Sequence, residues 1–142
     1  MTEALNRRLL DVLSAMGDEL IDRLDAEACA ISRVIGDVLI LIVERVPEGR
    51  RSLQSGQGYL VSDYPLTAEV LGTRRPQALT LDDPDVDEAE ATILREQGFG
   101  ALVMAPLELN GAVWGLVELY RTDRRPFTEA DIELVGELSR VT

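Results

Sequence analysis

Tyr59, Ser62, Asp63 and Tyr64 gather two aromatic rings, hydroxyls and a carboxylate within one short stretch, the mixture of apolar wall and convergent polar groups that small-molecule pockets use. The same residue types also make ordinary turns and helix caps. Arg74 and Arg75 offer guanidinium forks to an anionic ligand, or simply solvated charge between a helix and a strand. Trp114 can wall a cavity with its ring or fill a core. Cys29 alternates with Ile31, which makes it a buried structural thiol before it is a redox sensor. Asp82, Asp83, Asp85 and Asp87 could gather a hard cation, but Pro84 interrupts them and the spacing is not that of a calcium loop, so a solvated loop with a helix cap is expected and no metal site.

Two absences narrow the chemistry further. The chain has no histidine, and all 14 basic residues are arginine. Imidazole bases, histidine-ligated metals, serine–histidine triads, Schiff-base lysines and the phosphate-loop lysine are therefore excluded. With no positioned nucleophile either, the expectation is a protein that is not an enzyme. Acidic residues number 26, giving a net charge of -12, a field that repels nucleic-acid backbones and anionic bilayers. No direct nucleic-acid or membrane partner is expected. The longest apolar run, near Val38 to Val43, is far shorter than the roughly 18 residues of a membrane span. One cysteine and no signal-peptide pattern after Arg7 and Arg8 point to the cytoplasm.

The elements that must position these residues follow from periodicity. Leu5, Leu9, Val12, Leu13, Met16, Leu20 and Leu24 recur at helical spacing, so residues 1–24 form a leading helix. Leu10 and Ile21 widen its stripe. ACAISRV and VLILIVERV flank Gly36-Asp37 and read as a hairpin. A turn at Pro47-Glu48-Gly49 leads to an edge strand marked by Gly56 and Gly58. A short helix begins at Asp63-Tyr64-Pro65 with Gly72 as its stop, and QALTL follows as a strand. Asp87 with Glu90 three residues on predicts a capped helix ending at Gly98. Asn110-Gly111 joins two apolar strands in a tight hairpin. Thr128 and Asp131 form a second capping box, and Val135, Leu138 and Val141 carry the last helix to the end of the chain. The plan is α+β in three layers, a central antiparallel sheet of about six strands with helices on both faces: terminal helices on one, the middle segment on the other.

Three segments, LTAEVLGTRRPQAL, REQGFGALVMAPLELNGAVWGLVELY and RRPFTEADIELVGELS, resemble the GAF domain family, small regulatory domains of bacterial signalling proteins. The resemblance extends from about Ala26 to Val141 and is most specific at Pro106-Leu107, Asn110-Gly111, Gly115 and Pro126-Phe127-Thr128. It implies one domain: a leading helix over 1–24, a sheet and crossover core over 26–127 and a C-terminal helix over 128–142. It also implies a regulatory pocket between the sheet and the crossover of residues 57–100. Some variants of the family hold a bilin through cysteine followed by histidine, or haem through histidine; with Cys29 early in the first strand and no histidine, covalent bilin and histidine-ligated haem are not expected. The reductase members need several cysteines, and the Asn-Lys-Phe-Asp-Glu pattern of cyclic-nucleotide binders needs a lysine, so both patterns fail here.

The resulting expectation is a non-catalytic sensory domain of a larger signalling protein, excised while its last helix is still running. It would take an unidentified small molecule at Tyr59, Ser62, Asp63, Tyr64, Arg74 or Trp114. The alternative is a ligand-free dimerisation module. In either case homodimerisation is expected through Leu5, Leu9, Leu13, Met16, Leu20 and Leu138, because the terminal helices carry more apolar surface than one sheet face requires.

Overall fold

The computed structural model describes residues 2–46 and 58–141. Its centre is a sheet in the order β3-β2-β1-β6-β5-β4, formed by β1 (Ala28–Ile35), β2 (Val38–Arg45), β3 (Gly58–Leu60), β4 (Gln77–Thr80), β5 (Ala101–Leu109) and β6 (Ala112–Arg121). All of these pairings are antiparallel. Gly36 and Asn110-Gly111 turn the two hairpins with positive φ, as a tight reversal of twisted strands demands. The hairpins then meet through β1 and β6, where Ala30 pairs with Glu118 and Ile31 with Val117.

Each face buries its own apolar layer. Helix α1 (Thr2–Leu24) and helix α4 (Glu129–Leu138) cover one, with Leu13, Leu20, Ile31, Val117, Leu119 and Val135 packed together. The opposite face takes helix α2 (Pro65–Thr73) and helix α3 (Glu88–Gln97), which close over Ala30, Leu41, Leu102, Met104, Leu116 and Tyr120. The two-residue period of a strand divides β6 between these layers: 116, 118 and 120 look one way, 117 and 119 the other. The three-layer plan expected from the periodicity is the one observed. The turn at Pro47 to Gly49 and the Gly56 position lie outside the described residues.

Four local expectations are corrected. Helix α2 passes Gly72 and stops after Thr73, with Arg74 taking the left-handed position at φ 59°; Arg74 holds it because its guanidinium bonds the Gly111 carbonyl at 3.0 Å and Glu108 at 3.3 Å. Helix α4 ends at Leu138, and Arg140–Val141 form a short strand, β7, parallel to β5. Because β4 occupies only the Ala101–Met104 part of that edge, the backbone of Glu108 and Leu109 is free to take β7. Asp87 does cap α3, accepting from the amides of Ala89 and Glu90, but the Glu90 carboxylate turns inward instead of closing the box. Trp114 is the residue left without a partner where the β5–β6 register shifts, Leu107 facing Gly115 and Glu108 facing Val113. It packs on the α1/α4 side, its ring 4.7 Å beneath the Arg33 guanidinium.

Candidate functional site

Between the sheet and the α2–α3 crossover lies a cavity of about 60 Å³, lined by residues of β1, β2, β3, β6, α2 and α3. Tyr59 comes from β3 and Tyr64 from the residue before α2, their rings edge to face at 6.3 Å. Thr67, one turn into α2, donates its hydroxyl to Glu90 Oε1 at 2.7 Å. Glu90 is only 3% exposed; burial pushes its carboxyl above the ordinary range, and Asp87 adds to this while the Thr67 hydrogen bond works against it. From the sheet, Tyr120 donates its hydroxyl to Glu118 Oε2 at 2.9 Å, with its ring stacked on Phe99 at 4.7 Å.

Glu118, half-buried on β6, is strongly altered by its setting. Across the sheet its neighbours are Ala30 on β1 and Met104 on β5, neither of which solvates a carboxylate. Its pKa is pushed up to about 8, first by desolvation and then by Glu90, with the Tyr120 hydrogen bond opposing both. Burial and the same carboxylates hold the Tyr120 phenol well above its usual value. Such a cluster of perturbed groups in a cleft marks a functional-site candidate on physical grounds.

The structure brings together only part of the set expected from sequence. Tyr59 and Tyr64 line the cavity. Ser62 does not: its hydroxyl and amide both bond Asp37, at 2.6 and 3.0 Å, tying the 3₁₀ turn at Val61–Asp63 to the β1–β2 loop. Asp63 is exposed on that turn. Arg74 is occupied at the β5–β6 turn, and Trp114 lies on the other face. Glu90, Thr67, Glu118 and Tyr120 were missed. The signal that could have found Glu118 is a lone acid amid the apolar run of β6, two residues from a tyrosine.

Cys29 lies in the α1 layer, buried beneath Gly17, where an added Cβ would stand 3.4 Å from its Sγ. Desolvation, with Glu118 and Asp18, raises its thiol to about 12, the condition of a structural cysteine. Asp82 pairs with Arg124 at 2.7 Å and Asp83 caps the Thr80 amide at 2.8 Å. Among the described residues no cluster of acids or cysteine has metal-binding geometry. No described helix is long and apolar enough to cross a membrane.

The family model described as "GAF domain" matches residues 8–141. The chain belongs to the GAF domain family. A GAF domain is a sensory, non-catalytic module of signalling proteins, so the expectation against an enzyme rests on family as well as residue inventory. Searching the curated proteins gives no match. Among solved structures, the blue-light absorbing form of the PixJ GAF domain of Thermosynechococcus elongatus is 20% identical with a TM-score of 0.78, covering 94% of this chain and 82% of that one. A phycocyanobilin-bound GAF domain from a cyanobacterial phytochrome is 20% identical with a TM-score of 0.76, covering 97% and 86%. The GAF domain of a two-component sensor histidine kinase from Bacillus halodurans is 18% identical with a TM-score of 0.68, covering 89% and 88%.

These structures correct the expectation set against a covalent bilin. A GAF fold matching nearly the whole of this chain holds phycocyanobilin in the cyanobacterial protein, and others of the same fold are cyanobacteriochromes. That protein shows that the fold can hold a tetrapyrrole, which the linear position of Cys29 and the lack of histidine do not address. Covalent bilin therefore returns to the ligand classes that a binding test of this GAF domain must include.

Proposed function

We propose that this GAF domain senses a small molecule held in the cavity between β6 and the α2–α3 crossover, and that occupancy is passed to the α1/α4 layer through β6. The observation that carries the reading is the inward-facing set of Glu90, Thr67, Glu118 and Tyr120, with Tyr59 and Tyr64 at the mouth. Polar groups withdrawn from water cost stability unless something repays their desolvation, and a ligand would do so. Strand β6 supports the second half of the reading: Tyr120 faces the cavity, and the next residue, Arg121, is 4% exposed on the helix side. There its guanidinium donates to the carbonyls of Leu24 and Asp25 at the end of α1, at 2.5 and 3.1 Å, and to Pro126 at 2.9 Å before α4. A cytoplasmic location within a larger signalling protein belongs to the same reading.

Thermal denaturation against nucleotides, flavins, haem, bilins and small metabolites tests it, since a ligand of the native state raises the midpoint by mass action. The expected result is at least one compound whose stabilisation disappears in Ile93→Trp, a substitution that fills the cavity from α3. A screen with no stabilising compound, or with hits indifferent to Ile93→Trp, overturns it.

Self-association through α1 is the second reading, and what supports it is the exposure of Leu10 at 41% and Val12 at 50%. Leu13, Met16 and Leu20 are spent on the core of the single chain. Leu9 and Leu138 pack partly against that core, and the side chain of Leu5 lies outside the described residues. Leu10 and Val12, two positions apart on a helix, point to different sides of it, so the exposed leucine and valine support contact through one flank or the other of α1, not through both at once.

A further inference from the structure

Glu90 and Glu118 face the same cavity, and each satisfies one oxygen with a neutral hydroxyl, from Thr67 and Tyr120 respectively. Neither meets a cation among the described residues. Nine arginine–carboxylate contacts stand among those residues, as between Arg45 and Asp18, Arg124 and Asp82, or Arg125 and Asp25, and all of them leave this pair out. The groups turned toward the pair extend the pattern. Tyr120 comes from β6, Tyr59 from β3 and Tyr64 from the start of α2, while Asp87 stands behind Glu90 at the cap of α3. Strand β1 contributes Ala30 and Ser32, and β5 contributes Met104 beside Glu118. No arginine is among the described residues that line the cavity. An anion entering here meets Glu90 and, once Glu118 has lost its proton, a second carboxylate beside it, in a space where like charges repel more strongly than in water. A cation meets the reverse, together with tyrosine rings whose faces attract positive charge.

We propose that the cavity takes a small organic cation, an ammonium or amidinium group on a compact apolar body, with its charge between Glu90 and Glu118 and its body against Tyr59, Tyr64 and Tyr120. This rests on the reading of the cavity as a ligand site and names the ligand class. The mutual repulsion and desolvation that keep the Glu118 proton bound up to about pH 8 are relieved when the cation arrives. Binding therefore releases a proton below that pH, and affinity rises as pH approaches it.

The test is a titration of the nitrogen-15-labelled chain, followed by amide shifts, with three probes of nearly one shape: benzamidine, benzamide and benzoate. Benzamidine is expected to shift the amides of Glu90, Glu118 and Tyr120 and to bind at least tenfold more tightly than benzamide at pH 8, with benzoate not saturating. Its affinity should rise at least fivefold from pH 6 to pH 8. Glu118→Gln, which keeps shape and hydrogen bonding, should lose at least tenfold for benzamidine, flatten that pH dependence and leave benzamide unchanged. Benzamide or benzoate binding in the cavity as tightly as benzamidine overturns the assignment of a cation while leaving a ligand site. Silence of all three overturns the cation too, whereas the ligand site itself falls only with the wider screen against Ile93→Trp.

Discussion

Glu118 carries a consequence for stability that can be measured without any ligand. Its pKa stands near 8 in the folded chain against 4.5 for the free group, so the folded state holds the proton more tightly than the unfolded state does. The stability it contributes is full below about pH 4.5 and is lost as pH rises through about 8. Glu118→Gln stays neutral throughout. Urea denaturation of that variant should therefore show a gain over the parent that grows from pH 5 to pH 8 and vanishes near pH 4, whereas a constant offset would mean that Glu118 does not titrate in this window. Gly115 is a second single position with a large effect. A Cβ there would stand 2.1 Å from the Ser32 carbonyl oxygen, backbone that cannot swing aside, so β1 and β6 would have to part beside the cavity. Overpacking of this kind costs roughly 1–3 kcal/mol; Gly115→Ala should lie at the upper end by equilibrium denaturation, and a cost under about 0.5 kcal/mol would show that the strands yield freely.

Among the elements, α4 has a start that its local sequence specifies. Thr128 Oγ1 accepts from the Asp131 amide at 3.1 Å, and Asp131 Oδ2 accepts from the Thr128 amide at 2.9 Å. Thr128→Ala leaves one amide without its acceptor and should cost about 1 kcal/mol, read as a lowered denaturation midpoint with an unchanged slope; no loss would place the functional start of the helix elsewhere. This cap, the Asn110-Gly111 turn and the leucine spacing of α1 were all legible because each is decided by neighbours in the chain. The site was less so. Glu90 looked complete as the partner of Asp87, and only the packing of α3 against α2 reveals that its carboxylate meets Thr67. The side of the sheet taken by Trp114 depends on a register shift between β5 and β6, which no period in the sequence announces. Arg74 looked free because its partners, Glu108 and Gly111, are more than thirty residues away.

For the molecule as a whole, the burial of Leu13 at 0% exposure separates folding from association. Leu13→Ala should cost about 2–5 kcal/mol through the void it leaves, independent of protein concentration, while Leu10→Glu and Val12→Glu should leave the fold intact. A concentration-dependent cost for Leu13→Ala in sedimentation and denaturation would instead put that leucine at a subunit contact. The net charge of -12 opposes approach to a DNA backbone, so a gel shift at physiological salt is expected to show no complex below about 10⁻⁶ M. The two faces of the sheet also differ in how they answer to acid. On the helix face the buried Cys29 thiol is raised to about 12, with Glu118 among the causes; on the other face Glu118 itself changes charge near pH 8. A sheet one strand thick is thus no electrical barrier: like the thin dielectric of a capacitor, it lets the charge that Glu118 gains near pH 8 on the cavity side be felt by the thiol on the helix side.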